Sequence, residues 1–194
     1  MTGSGKTEIY LHLIHEQLEQ EKQSLLLLPE IALTPQTQNY FEEAFGQEIV
    51  SVLHSGQTLK ERTENWLKVY TGKTKILIGA RSALFAPFKN LGIIVVDESH
   101  DQSFKQDSAP RYNAKRVAAE IAKLENIKVI YGSATPNVET YFAASRKNSQ
   151  IALHHIDEKI AKNSHRFVYM VDMKDEWKKK NFSIFSELLI DGIR

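Results

Sequence analysis

The 194-residue chain contains no cysteine, which excludes disulfides and thiolate metal sites within it and suits a reducing compartment. It has no apolar run long enough to span a bilayer and no apolar signal-peptide core at its N-terminus. A cytoplasmic location without a membrane partner is therefore the expectation. Excess charge is also lacking: 25 Lys and Arg against 24 Asp and Glu leave a net charge of +1. That balance gives no electrostatic footprint for nucleic acid and excludes none, because a basic patch can sit on a neutral domain. Any nucleic-acid assignment must come from motifs. No internal repeat is visible. What is present, 42% hydrophobic and 25% charged residues, is the mix of a soluble globular protein. The length suits one α/β domain, or one domain and the start of another.

Hydrophobic periodicity predicts alternating helices and strands. Thr7 to Gln20 reads as a helix, with Ile9, Tyr10, Leu13, Ile14 and Leu18 at helical spacing. Ser24 to Leu28 is a continuous apolar run that suits a buried parallel strand. Thr34 as N-cap and Pro35 at the first helical position open a second helix. Further strands are expected at Ile49–Leu53, Lys75–Ile78, Ile93–Val96 and Lys128–Tyr131, and a sixth at Ile151–His154. Helices are expected at Leu59–Tyr70, Asn113–Leu124 and Pro136–Ser145. Such alternation predicts an α/β fold, a parallel sheet with helices on both faces. Ligands of such sheets bind at the C-terminal strand ends. From Asp157 the character changes. Asp175–Asn181 reads as a solvated linker, with a strand at Phe167–Val171 and a helix at Ser186–Ile193. The expected division is therefore 1–156, a nucleotide-binding domain, and 157–194, a linker and the start of a second domain.

Three motifs carry chemistry. Gly3-Ser4-Gly5-Lys6-Thr7 ends a phosphate-binding loop of the form G-x-x-x-x-G-K-[ST]. The opening glycine of that pattern would lie one residue before Met1, and the strand that runs into such a loop would lie further upstream. The expectation is a chain truncated within the loop and lacking its first strand, with strand edges left exposed. In such loops backbone N–H groups cradle phosphate, the lysine (Lys6) reaches the β/γ-phosphates and the hydroxyl (Thr7) meets Mg²⁺. The competing reading is a flexible Gly-Ser tail ahead of a helix. Next, the apolar run Ile93–Val96 leads into Asp97-Glu98-Ser99-His100. Adjacent carboxylates at a buried strand end need a cation to balance them. Asp97 is expected to hold Mg²⁺ and Glu98 to orient or deprotonate the attacking water. The bland alternative is an acidic junction facing solvent. Third, Gly132-Ser133-Ala134-Thr135-Pro136 follows an apolar strand. Ser133 and Thr135 can hydrogen-bond toward the acidic pair, and Pro136 can sit at the first helical position; both readings can hold together.

In that order, and at strand ends, these motifs resemble superfamily 2 helicases of the DExH type. Four more stretches are similar to the PriA family of primosomal replication-restart helicases. They are Leu28–Gln36 (LPEIALTPQ), Leu53–Gly56, Ile78–Phe88 (IGARSALFAPF), and His100–Gln106 followed by Pro110–Tyr112. The resemblance implies the first RecA-like domain of an ATP- and Mg²⁺-dependent 3′-to-5′ DNA helicase that reloads replication forks. It implies single-stranded or forked DNA as substrate, with other primosome proteins and single-stranded DNA-binding protein as partners. It places Pro29, Glu30, Thr34, Gln36, Arg81 and Ser82 along DNA. Phe104, Lys105, Arg111 and Tyr112 would link DNA to the ATP site, with His100, Ser133 and Thr135 as coupling residues. Aromatic faces stack on bases and cations track phosphates. Against this, Phe104 and Tyr112 can instead anchor their loop on the core, and Arg81 can pair with a carboxylate. The family's zinc-binding cysteines and second helicase domain, with its arginine finger, lie outside this chain. Little unwinding by the chain alone is expected. Two other classes remain open: a non-catalytic nucleotide- or DNA-binding remnant, and a P-loop ATPase of another class.

Overall fold

The computed structural model describes residues 5–146, 149–156 and 169–193; by their contacts, residues 1–158 and 159–194 form two compact units. The first unit is built on a five-stranded sheet: β1 (Gln23–Leu27), β2 (Val50–Leu53), β3 (Ile76–Gly79), β4 (Leu91–Val96) and β7 (Lys128–Tyr131). Their order is β2-β3-β1-β4-β7, and every pairing is parallel. All five expected strands in this region are present, within a residue or two at their ends.

A buried parallel sheet needs apolar side chains on both faces, and the run Leu25-Leu26-Leu27-Leu28 supplies them by simple alternation. Leu25 and Leu27 join Leu77, Ile94 and Val96 in one core, covered by α3 (Leu59–Tyr70) through Val69 and by α4 (Ala114–Glu125) through Ala114 and Ala118. Leu26 and Leu28 join Ile76, Ile78, Ile93 and Val95 in the other, covered by α1 (Lys6–Glu19) through Tyr10 and Ile14 and by α2 (Pro35–Phe45) through Phe41. Among the described residues β7 is paired on one side only, and Val129, Ile130 and Tyr131 are half-buried there.

Local signals set the helix ends. Thr34 accepts a hydrogen bond from Thr37 N at 3.2 Å, with Pro35 opening α2. Thr58 and Glu61 close a reciprocal capping box on α3. Asn113 accepts from Lys115 N at 3.0 Å ahead of α4, and Asn126 ends that helix in the left-handed region at φ 53°. One buried polar residue ties the base of the sheet. Gln23 Nε2 donates to Val69 O at 3.0 Å and Thr74 O at 2.7 Å; its Oε1 accepts from Lys89 N at 2.8 Å and Asn90 N at 3.1 Å. All its hydrogen-bonding capacity faces backbone groups of the last turn of α3 and of two connecting loops.

Three sequence expectations are corrected. The helix α5 runs Val138–Ala144 after Asn137, so Pro136 lies outside it rather than at its first position. Ahead of it, Gly132 O accepts from Ser99 N, in the turn after β4, at 2.8 Å, and Asn137 takes the N-cap position. Residues 151–156 are exposed and form no strand, because no neighbouring strand reaches them. Residues 175–178, read as linker, belong to α6 (Met173–Lys178), with Asp172 as its N-cap. Of the expected strand at Phe167–Val171, residues 167 and 168 lie outside the described residues and 169–171 form no strand.

In the second unit α6 is followed by α7 (Glu187–Ile193), the helix expected at 186–193. Glu176 organises the turn between them: Oε2 accepts from Asn181 Nδ2 at 2.9 Å and Glu187 N at 2.8 Å. The backbone N–H of Glu187, seconded by the Asn181 amide, holds the Glu176 carboxyl below its usual range.

Candidate functional site

Parallel register brings the motifs to one edge of the first unit. Leu27 pairs with both Gly79 and Val96, Val96 with Tyr131, and Gly79 with Leu53. The residues just beyond these tips are Pro29, Arg81, Asp97, Ser133 and His54. Backbone bonds hold the tips together: Asp97 N donates to Leu27 O at 3.0 Å and Gly132 N to Val96 O at 2.9 Å.

The helix α1 delivers the lysine. Gly5 precedes it with φ 73°, a left-handed conformation that glycine adopts without strain. Gly3 and Ser4 of the expected phosphate loop lie outside the described residues. Lys6 Nζ donates to Glu98 Oε1 at 2.9 Å and stands 3.6 Å from Asp97 Oδ1. Thr7 is exposed beside it at the start of α1. The adjacent carboxylates thus share one ammonium, which offsets the mutual repulsion of two acids at a strand end. Glu98 takes φ 44°, a left-handed value that costs a non-glycine residue about 1–2 kcal/mol. The turn brings His100 back over the sheet: its Nδ1 lies 2.9 Å from Ser133 Oγ and 3.4 Å from Glu98 Oε2. Ser133 Oγ also accepts from Thr135 N at 3.0 Å. The DExH segment and the Ser-Ala-Thr segment are therefore one hydrogen-bonded unit.

The oxygen-only donor set of Thr7 and Asp97 fits Mg²⁺, which is held by one or two carboxylates and completed by substrate phosphates and water. Among the described residues no group of three or more His, Cys, Asp or Glu could hold a metal ion.

A cavity of about 270 Å³ adjoins this unit, lined by Pro29, Ile31, Glu98, His100, Asp101 and Thr135 among others. Beyond it Glu30, Thr34 and Gln36 are exposed, while Pro29 is buried. A second cavity, of about 190 Å³, lies between Thr34, Gln38 and His54. Ser82 is exposed in a short 3-10 turn (Arg81–Phe85). Among the described residues Arg81 pairs with no carboxylate: its Nη1 donates to Ser103 O at 2.7 Å and Lys105 O at 2.9 Å. This clamps the base of a small hairpin, β5 (Lys105–Gln106) with β6 (Tyr112–Asn113).

Phe104 corrects the stacking expectation. Only 1% exposed, it lies in the core with Leu27 and Val96, so its ring is closed to a base and anchors the loop. Tyr112 is half-buried edge-on against Phe85, with ring centroids 5.1 Å apart. Lys105 and Arg111 reach solvent, Lys105 3.2 Å from Asp107 and Arg111 donating to Asp107 O at 3.0 Å.

One residue of the site was read from sequence only as scaffold. Tyr10, 4% exposed, donates its phenol to Asp97 Oδ1 at 2.8 Å. Burial, then the nearby Asp97 charge, pushes that phenol well above its usual range. Gly132 lies against the same hydroxyl, and a Cβ there would overlap it. Tyr10 stands four residues after Lys6, on the same helix face. That spacing was the available signal: a hydroxyl one turn beyond the phosphate-loop lysine.

A RecA-like α/β sheet that brings a Lys-Thr helix start, an acidic pair and a Ser-Ala-Thr turn to one edge defines a helicase-type nucleotide-binding domain. The DEAD/DEAH box helicase family matches residues 1–143, and the chain belongs to that family. Over all of its length it is 42% identical to 24% of the Replication restart protein PriA of Bacillus subtilis. It is 51% identical over 140 residues to that of Haemophilus influenzae, covering 72% of this chain and 19% of the relative. The PriA resemblance read from the sequence is borne out. The chain spans 24% and 19% of the length of these two relatives. Among solved structures, RecG bound to a three-way DNA junction superimposes with a TM-score of 0.53 at 23% identity, covering 73% of this chain and 18% of that one. The DUF1998 helicase MrfA bound to DNA and AMPPNP gives 0.51 at 18%, covering 69% and 21%. At these identities the superpositions speak to fold alone. No helix among the described residues is long and apolar enough to cross a membrane.

Proposed function

We propose that this chain is the first ATP-binding domain of a cytoplasmic replication-restart DNA helicase, coupling ATP hydrolysis to 3′-to-5′ translocation on single-stranded DNA. The observation that carries the reading is the convergence of Lys6, at the start of α1, with Asp97 and Glu98, at the tip of β4, within 3.6 Å. In this reading Gly3, Ser4, Gly5, Lys6 and Thr7 hold the ATP phosphates, and Thr7 and Asp97 hold Mg²⁺. A Mg²⁺ ion held there would supply neutralisation of the phosphate charge. Glu98 orients or deprotonates the attacking water, within reach of Lys6 and His100.

Single-stranded or forked DNA lies over Pro29, Glu30, Thr34, Gln36, Arg81 and Ser82 and meets Lys105, Arg111 and Tyr112. His100, Ser133 and Thr135 relay the state of the acidic pair to that surface, supported by the His100–Ser133 contact of 2.9 Å. Other primosome proteins and single-stranded DNA-binding protein are the proposed partners of the longer helicase. Residues 157–194 lead toward its second motor domain. ATP turnover by the purified chain, with and without single-stranded DNA, tests the reading. DNA-stimulated turnover abolished by Glu98→Gln supports it. Turnover indifferent to DNA favours a P-loop ATPase of another class, and nucleotide binding without turnover favours a binding remnant.

A further inference from the structure

We propose that Tyr10 is the positioning residue of the Mg²⁺ carboxylate, a role that deepens the ATP-site reading above and rests on it. The phenol of Tyr10, on α1, donates to Asp97 Oδ1 at 2.8 Å. The Lys6 ammonium stands 3.6 Å from the same oxygen, so two donors on one helix face bracket it. The carboxylate is thereby held with Oδ1 committed to α1 and Oδ2 left for a cation. A carboxylate on a strand tip otherwise rotates about χ2 with little resistance.

The third member is Gly132. A Cβ at this position would overlap the Tyr10 hydroxyl and stand 3.0 Å from Asp97 Oδ1. The absence of a side chain at the end of β7 lets the phenol pass between α1 and the sheet. Gly132 is itself fixed, its N–H donating to Val96 O at 2.9 Å and its carbonyl accepting from Ser99 N at 2.8 Å. The glycine of the Ser-Ala-Thr segment is thus a fitted wall behind the metal-binding carboxylate. Tyr10 touches neither nucleotide nor reacting atoms in this arrangement. It acts through Asp97, as the outer partners of metal ligands do when they fix a ligand's orientation.

The test is equilibrium binding of a fluorescent ADP to the 194-residue chain, titrated in Mg²⁺ and in EDTA, for wild type, Tyr10→Phe and Asp97→Asn. Phenylalanine keeps the ring in its pocket and removes only the donor. The expected result for Tyr10→Phe is about a tenfold loss of affinity in Mg²⁺, the scale of one charge-assisted hydrogen bond. Its affinity in EDTA stays at the wild-type value, while its melting temperature without nucleotide falls by no more than the few degrees expected for one lost hydrogen bond. The Mg²⁺ concentration for half-maximal binding rises in parallel. Equal losses in Mg²⁺ and EDTA assign Tyr10 to packing and overturn the inference, as does an unchanged Mg²⁺ titration. Asp97→Asn separates the two levels of the argument. If wild type and Asp97→Asn bind equally with and without Mg²⁺, the nucleotide-site reading itself fails. If Asp97→Asn loses the Mg²⁺ effect and Tyr10→Phe keeps it, only the role of Tyr10 fails.

Discussion

Lys6 Nζ lies 2.9 Å from Glu98 Oε1, although 92 residues of chain separate them. The contact exists because α1 starts where β4 ends, at the same edge of the sheet. Lys6→Ala removes the ammonium from two adjacent carboxylates. A hydrogen bond to a charged group contributes about 1.5–3 kcal/mol, and a triphosphate offers several charged acceptors. ATP affinity is therefore expected to fall at least tenfold, to about a hundredfold. Calorimetric titration of ATP into both proteins measures it. Unchanged affinity would remove Lys6 from the phosphate site.

Gln23 is the polar residue on which the base of the sheet depends. It is 1% exposed and its side chain serves four backbone groups in the loops at 69–74 and 89–90. Gln23→Leu keeps the volume and removes the partner of Thr74 O, Lys89 N and Asn90 N, while Val69 O keeps its bond from Gly72 N at 3.0 Å. Each buried, unsatisfied group costs about 1–3 kcal/mol, less where water can enter. The expected loss is about 3 kcal/mol in urea unfolding, with the slope unchanged. A loss below about 1 kcal/mol would mean that the loops find other partners.

The sheet was legible from sequence because its strands are short apolar runs ended by motif residues. Leu25–Leu28 and Ile93–Val96 bury both faces, so period and burial agree. What failed lay where local pattern lacks a partner. Residues 151–154 are a short, mostly apolar run that reads as a strand but meets no neighbouring strand. The charged segment 175–178 reads as solvated, yet Asp172 caps it and the Glu176 carboxylate accepts the Glu187 N–H eleven residues on. In the site, charge and hydroxyl residues announced themselves. Tyr10 did not, because a tyrosine on an apolar helix face looks like core until its hydroxyl is given an acceptor. Phe104 erred the other way: an aromatic residue in a polar loop suggested base stacking, and the fold turned it inward.

The Thr58–Glu61 capping box gives α3 a pH dependence. Glu61 Oε2 accepts from Thr58 N and from Thr58 Oγ1, both at 2.8 Å. The backbone N–H, then the hydroxyl, holds its carboxyl below the usual range. A carboxyl depressed on folding stabilises the folded state above its unfolded pKa of about 4.3, and loses that contribution as pH falls through the folded value. Glu61→Gln retains a weaker acceptor and cannot titrate. The melting temperature of wild type is expected to exceed that of the variant at pH 7. The gap should narrow steadily once pH falls below about 4.3. A gap independent of pH would show that the charge on Glu61 plays no part.

The hairpin after the acidic motif separates stability from nucleic-acid binding. Phe104 is enclosed with Leu27 and Val96 beneath it, while Arg111 projects into solvent at its outer end. Phe104→Leu removes ring contacts from a closed core and is expected to lower unfolding free energy by about 1–3 kcal/mol. Binding of single-stranded DNA by the folded variant should stay within about twofold of wild type, since a buried ring offers a base no face to stack on. Arg111→Ala should do the reverse. Stability holds within about 0.5 kcal/mol, as for an exposed site. DNA affinity falls, and the slope of its salt dependence drops by about one for the lost phosphate contact. Fluorescence anisotropy with a labelled oligonucleotide at several salt concentrations, beside urea unfolding of both variants, reads all four quantities. If Phe104→Leu weakened DNA binding as much as Arg111→Ala while remaining fully folded, the ring would have to leave its pocket on binding. The anchoring role given to Phe104 would then be wrong.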